Sequence, residues 1–372
     1  MLRAKPHRFL IPPLILWLLP LIASLPDTSA DASCPPPSSE KMDELFHQSL
    51  KKETDSSKIR VALLPFEDGS MTERDEVMEW AFPWLFHELL SGGKNSSLFH
   101  PFLIQREIER QGVGFKDFFD ESKMAPVAAS LGATHTVTGL FQKQTDGIVR
   151  YFIKIVPLDQ KKPPPPILEF VASQGDRFFS VAEDAAHRIA GHTGLSKIEK
   201  DLLKRRFDPN PSYEAFRFLL KGLKSSGSYR ETNLAIARVW FDKAAATSYT
   251  FTKAFDELAR GSFMLGLIAR QAGKNASLFY TEGEEFLSKA GGAKGGAASR
   301  RWWAGHQAFV LGAGLVKTNS LREAERHLTE AVVTVPEDGV AHFFLSQVYQ
   351  MTGNPKAAEE KEMAQAIGSC VE

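Results

Sequence analysis

The chain lacks an excess of either charge: Lys plus Arg and Asp plus Glu both number 45 in 372 residues. Steering toward nucleic acid or anionic lipid needs such an excess, so neither is expected as the main partner. After residue 30 no apolar run reaches the ~20 residues of a spanning helix. Cysteine is scarce, with Cys34 and Cys370 as the whole complement, which permits one bridge at most. What is present is ordinary globular composition, 43% hydrophobic and 24% charged. That length and balance suit two cores of conventional domain size rather than a disordered chain.

The first 30 residues stand apart. Arg3, Lys5 and Arg8 precede an apolar run from Phe9 to Leu25, and Thr28-Ser29-Ala30 supplies small residues. This is the pattern of a cleavable secretory signal, with cleavage expected after Ala30. Pro12, Pro13 and Pro20 interrupt the run, which argues against a spanning anchor. The expected location is periplasmic or otherwise extracytoplasmic. There a disulfide between Cys34 and Cys370 is chemically possible, and closing so long a loop would contribute on the order of 5 kcal/mol. The alternative is a lipid-bearing Cys34, although Asp31-Ala32-Ser33 lacks the bulky apolar residue expected three places before such a cysteine. Membrane attachment is expected only with that lipid or an uncleaved signal.

Residues 31–57 are rich in Pro, Ser and Lys and read as a linker carrying one short helix around Met42 to Leu50. Ile59 to Phe66 is almost continuously apolar, as in a strand covered on both faces. Val77, Trp80, Ala81, Trp84, Leu85 and Leu89 recur at helical spacing, and Pro83 predicts a kink or a true start there. Phe99 to Ile104 is expected as a second strand, Met124 to Leu131 as a helix and Thr134 to Phe141 as a third strand. Tyr151, Ile153 and Ile155 alternate with Arg150 and Lys154, so the next strand has one wet face. Pro163 to Pro166 connect it stiffly to a hairpin partner, Ile167 to Ala172. A closing helix takes Phe178, Val181, Ala182, Ala185 and Ile189, with Asp176 as its cap and Gly191 past its end. The expectation is a mixed-sheet α/β domain over 58–200.

Strand signals then vanish, and residues 212–372 are expected to form an all-α solenoid of helix pairs. Ala324, Leu328, Ala331 and Pro336 are spaced as in the second helix and terminal proline of a 34-residue tetratricopeptide repeat. The same frame puts Leu311 and Gly312 at packed positions before them and Leu345, Tyr349 and Ala358 in the following unit. The clearest units are 305–338 and 339–372. An earlier unit shares Ala237, Phe241, Ala244, Leu258 and Ala259, with Tyr249 in place of the proline. Ala276 to Ala290 is a further helix, and Gly291-Gly292-Ala293-Lys294-Gly295-Gly296 an exposed loop. Such pairs stack and curve because none buries its apolar face alone.

The first domain resembles the amino-terminal domain of the TolB type, related in outline to the curli-secretion lipoprotein domain. The resemblance rests on Val61-Ala62-Leu63-Leu64-Pro65-Phe66, on Ala129-Ser130-Leu131-Gly132-Ala133 before a strand ending Thr138-Gly139, and on Leu158-Asp159. It covers roughly residues 58 to 195. Bacterial proteins that this looks like follow that domain with a segment similar to Tyr213-Glu214-Ala215-Phe216-Arg217-Phe218-Leu219-Leu220-Lys221-Gly222 and then tetratricopeptide repeats. The chain has no β-propeller, cyclase or DNA-binding sequence, so the resemblance implies architecture rather than activity.

No motif for chemistry is complete. His87-Glu88-Leu89-Leu90-Ser91 starts like a zinc-protease helix but has Ser91 in place of the second histidine. Ser91-Gly92-Gly93-Lys94 lacks the S-D-N and K-T-G partners of penicillin-binding enzymes. Lys274 and Lys294 follow no phosphate loop, and Gly312-Ala313-Gly314 lacks the third glycine of a dinucleotide loop. His187 and His192 are five apart, an awkward spacing for one metal. Glu282, Glu284 and Glu285 suit a solvated face. No catalytic residue, cofactor or metal is therefore expected.

In tetratricopeptide folds that this resembles, the first helix of each pair lines a groove. Transferring that frame nominates His306, Phe309, Lys317, Phe343, Gln347 and Gln350, and from the earlier unit Lys253, Asp256, Arg260 and Phe263. Phe309 and Phe343 could equally be core. Aromatic anchors with amide and basic donors suit a peptide or helix. The expected function is a non-catalytic interaction scaffold of the bacterial cell envelope with a protein or peptide partner. The alternatives are a lipid-anchored component of a secretion or envelope-assembly complex, or an enzyme whose site is assembled from scattered residues.

Overall fold

A computed structural model describes residues 37–54, 59–70, 74–91, 96–144, 148–159, 164–173, 178–195, 212–291 and 297–368. The leader, Cys34, Cys370, Asp176 and most of the Gly291–Gly296 loop lie outside them. The first half runs α1 (Ser39–Thr54), β1 (Ile59–Asp68), α2 (Glu76–Glu79), α3 (Ala81–Leu90), β2 (Ser96–Leu98), α4 (Pro101–Gln111), α5 (Glu121–Ser130), β3 (His135–Lys143), β4 (Ile148–Pro157), β5 (Leu168–Ser173) and α6 (Phe178–Thr193). The sheet is mixed, in the order β2-β1-β3-β4-β5. β1 is parallel to β2 and β3, while β3–β4 and β4–β5 are antiparallel.

Alternation along β1 sends its side chains to two cores. Val61, Leu63 and Phe66 join α3, α6 and the inward residues of β4, Tyr151, Ile153 and Ile155. Ala62 and Leu64 face the other way, onto Leu103, Ile104 and Ile108 of α4 and Met124, Val127 and Ala128 of α5. Leu63 and Phe66 would fall on opposite faces by strict alternation. The register against β3 shifts between them, so that three steps on β1 meet two on β3. This bulge at Pro65 returns Phe66 to the α3 side, where its ring stacks on Phe82 at 5.1 Å. Space for that ring exists because Gly139 on β3 has no side chain; a Cβ there would collide with it. On β4 the alternation leaves Arg150 exposed and sets the Lys154 ammonium 4.5 Å over the Phe119 ring.

Several boundaries differ from the sequence expectation. Phe99 to Ile104 is not a strand: β2 ends at Leu98 and α4 begins at Pro101. Proline fits the first helical position, where its missing N–H leaves no bond unmade, and the His100 side chain caps the Phe102 N–H at 3.3 Å. The helix expected around Pro83 is two helices broken at Trp80, with Pro83 in the first turn of α3. Gly191 lies inside α6, and Gly194, at φ +77°, follows its end.

The second half is a run of helical hairpins: α7 (Tyr213–Ser225) with α8 (Glu231–Thr247), α9 (Thr252–Gln271) with α10 (Ser277–Lys289), α11 (Ala297–Lys317) with α12 (Leu321–Thr334), and α13 (Gly339–Thr352) with α14 (Ala357–Ile367). Together the halves form a mixed-sheet α/β domain followed by an all-α solenoid. Ala324, Leu328 and Ala331 are completely buried, as are Ala237, Phe241 and Ala244 to within 1%. In three hairpins a glycine receives a bulky side chain from its partner helix: Gly222 takes Phe241, Gly283 takes Phe263 and Gly312 takes Leu328. Leu311 and Ala358, expected at packed positions, are exposed. Burial of Leu311 would need α11 rotated by one residue, and Gly312 already occupies the seam against Leu328.

Replacing Gly139 by Ala should destabilise the protein by about 1–3 kcal/mol through overpacking against Phe66, read as a lower midpoint in urea unfolding. Adding Phe66→Leu should recover part of that loss if the ring is the obstacle.

Candidate functional site

The nominated groove divides into a filled part and an open part. On α9 the residues Lys253, Asp256, Arg260 and Phe263 recur at helical spacing; Lys253 and Arg260 meet the sheet domain, while Asp256 and Phe263 meet neighbouring hairpins. The Lys253 ammonium lies 2.9 Å from Glu88 on α3, 3.1 Å from Glu257 and 3.6 Å from Asp256. The Ser299 hydroxyl, on α11, donates to Asp256. Arg260 donates from Nε to Glu257 at 2.7 Å and from Nη2 to the Ser226 hydroxyl at 2.7 Å, and its guanidinium stands 5.6 Å from the Phe102 ring. Phe263 is core, packed with Tyr280 and Trp303. These four nominated residues thus meet the protein's own side chains.

Electrostatics at this seam are set by burial against pairing. Desolvation alone would lower the Lys253 amine, but Glu88, Glu257 and Asp256 together raise it above its ordinary value. Desolvation pushes Asp256 up despite Lys253. Glu257 is driven up by desolvation too, yet Arg260 and Lys253 outweigh that and hold it below the usual range. A second ionic seam joins α2 to the helices: Asp75 accepts from Lys143 at 2.7 Å and from Arg217 on α7 at 2.6 Å. Desolvation opposes ionisation there, and the two cations overcome it.

α1 closes the space between the two halves. Phe46 meets Phe102 of α4, Tyr229 of the α7–α8 connection and Trp302 of α11 at 6.1, 5.8 and 6.4 Å between ring centres. Asp43 accepts the Tyr229 backbone N–H at 2.6 Å, and the Ser38 N–H donates to the Ile367 carbonyl at 2.8 Å. The segment expected as a linker therefore carries a helix with buried Met42, Leu45 and Phe46. The short helix expected from Met42 to Leu50 runs from Ser39 to Thr54, and the spacing of Met42, Leu45, Phe46 and Leu50 is the signal that it docks on the core instead of standing in a linker.

The remaining nominated residues lie toward the last two hairpins. His306 stacks face to face on Tyr280 at 3.7 Å, and burial, followed by the nearby Arg270 charge, lowers its imidazole to about 3. Burial likewise pushes the Tyr280 phenol up to about 12. Phe309 is 3% exposed, beneath the Arg270 guanidinium at 3.9 Å, and Arg270 pairs with Asp338 at the start of α13. These residues belong to the hairpin interior. Phe343 and Gln347 are half-buried, while Lys317 and Gln350 are exposed. Phe343 stands edge-on to Phe344 at 6.0 Å, and the neighbouring Met351 is 60% exposed.

The motif residues also have structural settings. Glu88 is committed to Lys253, and the His87 ring lies 4.9 Å from that of half-buried His100. Glu282 pairs with Arg238 at 2.9 Å, Glu284 and Glu285 are exposed, His187 is half-buried and His192 is exposed. Among the described residues no group of three or more His, Cys, Asp or Glu could hold a metal ion, and no helix is long and apolar enough to cross a membrane.

No family model matches the chain, and no curated protein matches it. Among solved structures it is similar to the LpoB C-terminal domain from Salmonella enterica, at 11% identity and a TM-score of 0.25. That match covers 34% of this chain and 96% of the domain. A likeness at this level decides neither fold nor function.

Lys253→Met should leave three carboxylates around an apolar tip and cost about 3–5 kcal/mol at neutral pH. The deficit should shrink on acidification, for two reasons of the same sign. In the parent, the stability tied to the depressed Glu257 carboxyl is present above its unfolded value and lost as pH falls through its folded one. In the variant, carboxyls raised by burial are penalised only when ionised, and they regain protons. Unfolding midpoints measured at neutral pH and near pH 4.5 check this; a deficit that grows toward acid would contradict it.

Proposed function

We propose that the protein is exported and serves as a non-catalytic scaffold of the cell envelope. In this reading its tetratricopeptide-type hairpins hold a protein or peptide partner on the face left open by the sheet domain and α1. The observation that carries it is the division of the groove. Lys253, Asp256, Arg260 and Phe263 are consumed by internal docking, whereas Phe343, Gln347, Gln350 and Met351 recur on α13 at helical spacing with half or more of their number open to water. An aromatic anchor beside amide groups is suited to an extended or helical peptide. Export is supported by the basic start, apolar run and small residues of positions 1–30. Absence of catalysis is supported by the internal pairing of the buried charges in the seams: Lys253 with Glu88, Arg260 with Glu257 and Ser226, and Asp75 with Lys143 and Arg217.

The test is capture of a partner from envelope extract by the parent and by a Phe343→Ala, Gln347→Ala variant. Both positions are only half-buried, so the variant should keep the parent's circular dichroism and unfolding midpoint to within about 1–2 kcal/mol. Loss of most of the captured partner is expected; equal capture by a folded variant would move the site away from α13. A turnover activity that survives in pure protein would overturn the non-catalytic reading.

A further inference from the structure

β5 stands last in the sheet order β2-β1-β3-β4-β5, and among the described residues no strand pairs with its far side. Which of its backbone groups face that side follows from the ladder. Gln144 N–H donates to the Ile148 carbonyl at 2.8 Å and Leu158 N–H to the Thr134 carbonyl at 2.9 Å, so even-numbered residues of β4 face β3. Backbone direction alternates along an antiparallel strand, which turns the odd-numbered residues of β4 toward β5. Their partners there are Leu168, Phe170 and Ala172. The N–H and C=O groups of Glu169 and Val171 therefore point to the open edge. Ile167, Glu169 and Val171 are also exposed, the two apolar ones by about half, and exposed Arg150 lies opposite Val171 on β4. Among the described residues neither Arg150 nor Glu169 has an ion-pair partner. Proteins blunt such edges with proline, charge or a cover. Here Pro164 to Pro166 block only the approach to β5, and its central charge lacks a counterion.

We propose that two copies of the chain join at this edge, β5 against β5 and antiparallel about a twofold axis, so that two five-stranded sheets become one. The residues choose both occupant and register. Like charges directly opposite each other destabilise a strand pair, which excludes Glu169 facing Glu169. A shift toward the chain start sets Val171 opposite Pro165, which has no N–H to give; the opposite shift carries Ile167 past the end of β5. With Phe170 on the axis, Glu169 stands opposite Val171 of the second copy, and every facing edge residue from Ile167 to Ser173 carries an N–H. One strand beyond that Val171 lies Arg150 of the second copy. Glu169 and this arginine share a row about 10 Å apart at Cα, a separation their side chains span, and the axis makes the contact twice. A second copy thus supplies the cation that Glu169 lacks and the carboxylate that Arg150 lacks. An edge of six residues falls short of the roughly 800 Å² per partner in a standard interface. The dimer is accordingly weak, with a Kd on the order of 10 μM.

Sedimentation velocity of the full chain, at concentrations on both sides of that value, should show a monomer–dimer equilibrium. A monomer throughout would overturn the proposal, whatever foreign strand it captures. Val171→Pro removes an edge N–H that no ladder bond inside the chain uses. The variant should keep the parent's circular dichroism and unfolding midpoint while dimerisation weakens by about tenfold or more; unchanged dimerisation in the folded variant would overturn the assignment. The charge variants decide independently of how proline is tolerated. Glu169→Arg and Arg150→Glu each turn two attractive contacts into repulsive ones and should each weaken the dimer by about tenfold. The double variant restores opposite signs across the axis and should return to within about threefold of the parent. Losses in both single variants without recovery in the double would sink the register and the proposal with it. Failure here leaves the reading of α13 untouched, since that surface is tested by partner capture on a different element.

Discussion

Taking an ammonium group out of water costs several kcal/mol unless anions replace its hydration, and Lys253 is placed where only the two halves together can supply them. Glu257 and Asp256 come from its own helix, but Glu88 comes from α3, under the sheet. Separation of the halves would leave two carboxylates and Arg260 to reorganise around one cation and would uncover Phe102 and Trp302. Polar specificity and apolar burial therefore act on the same interface. The charges fix which face of α9 docks, and the aromatic cluster around Phe46 supplies the area. This is why one continuous core runs from Val61 in the sheet to Leu287 in the hairpins.

Spacing within the helical half depends on missing side chains. Each pairing of Gly222 with Phe241, Gly283 with Phe263 and Gly312 with Leu328 lets two backbones approach while a bulky side chain fills the gap. Close packing of this kind transmits a displacement instead of absorbing it. The docking geometry at α9 thus constrains α11 and α13 in turn, through Ser299 on Asp256, Gln271 on the Glu337 carbonyl and Arg301 on the Glu337 carboxylate. The surface on α13 proposed for a partner is consequently held by a rigid support, which would limit the entropy lost on binding there.

Much of this was legible because period and punctuation agree in the chain. β1, β3, the alternating β4 and the second helices of the hairpins carry patterns that only one secondary structure satisfies. The sequence reading failed where two patterns overlap. Phe99 to Ile104 is a short apolar run that suits strand or helix, and Pro101 decided for the helix by fitting its first turn. The sequence places α1 as a short helix within a linker, and what composition hides is its docking: its Lys, Ser and Glu suggest a solvated segment, while Met42, Leu45 and Phe46 are enough for one buried stripe. Leu311 shows the limit of a repeat frame, since a glycine one place on can claim the packed position.

The groove was the hardest part to read, and the reason is physical. A frame says which side chains face a concavity, but not whether the occupant is foreign or belongs to the same chain. Lys253 and Glu88 are 165 residues apart, and nothing local to either announces the other. Burial of charge separates the cases after the fact. A site kept for a partner should present groups whose exposure costs little while they wait, such as Gln347, Gln350 and the partly shielded ring of Phe343. A buried cation with three carboxylates around it cannot wait in that sense, because its desolvation is already offset. Charged groove positions in the docked part are thus the ones least able to serve a partner, and the uncharged positions of α13 are the ones that can.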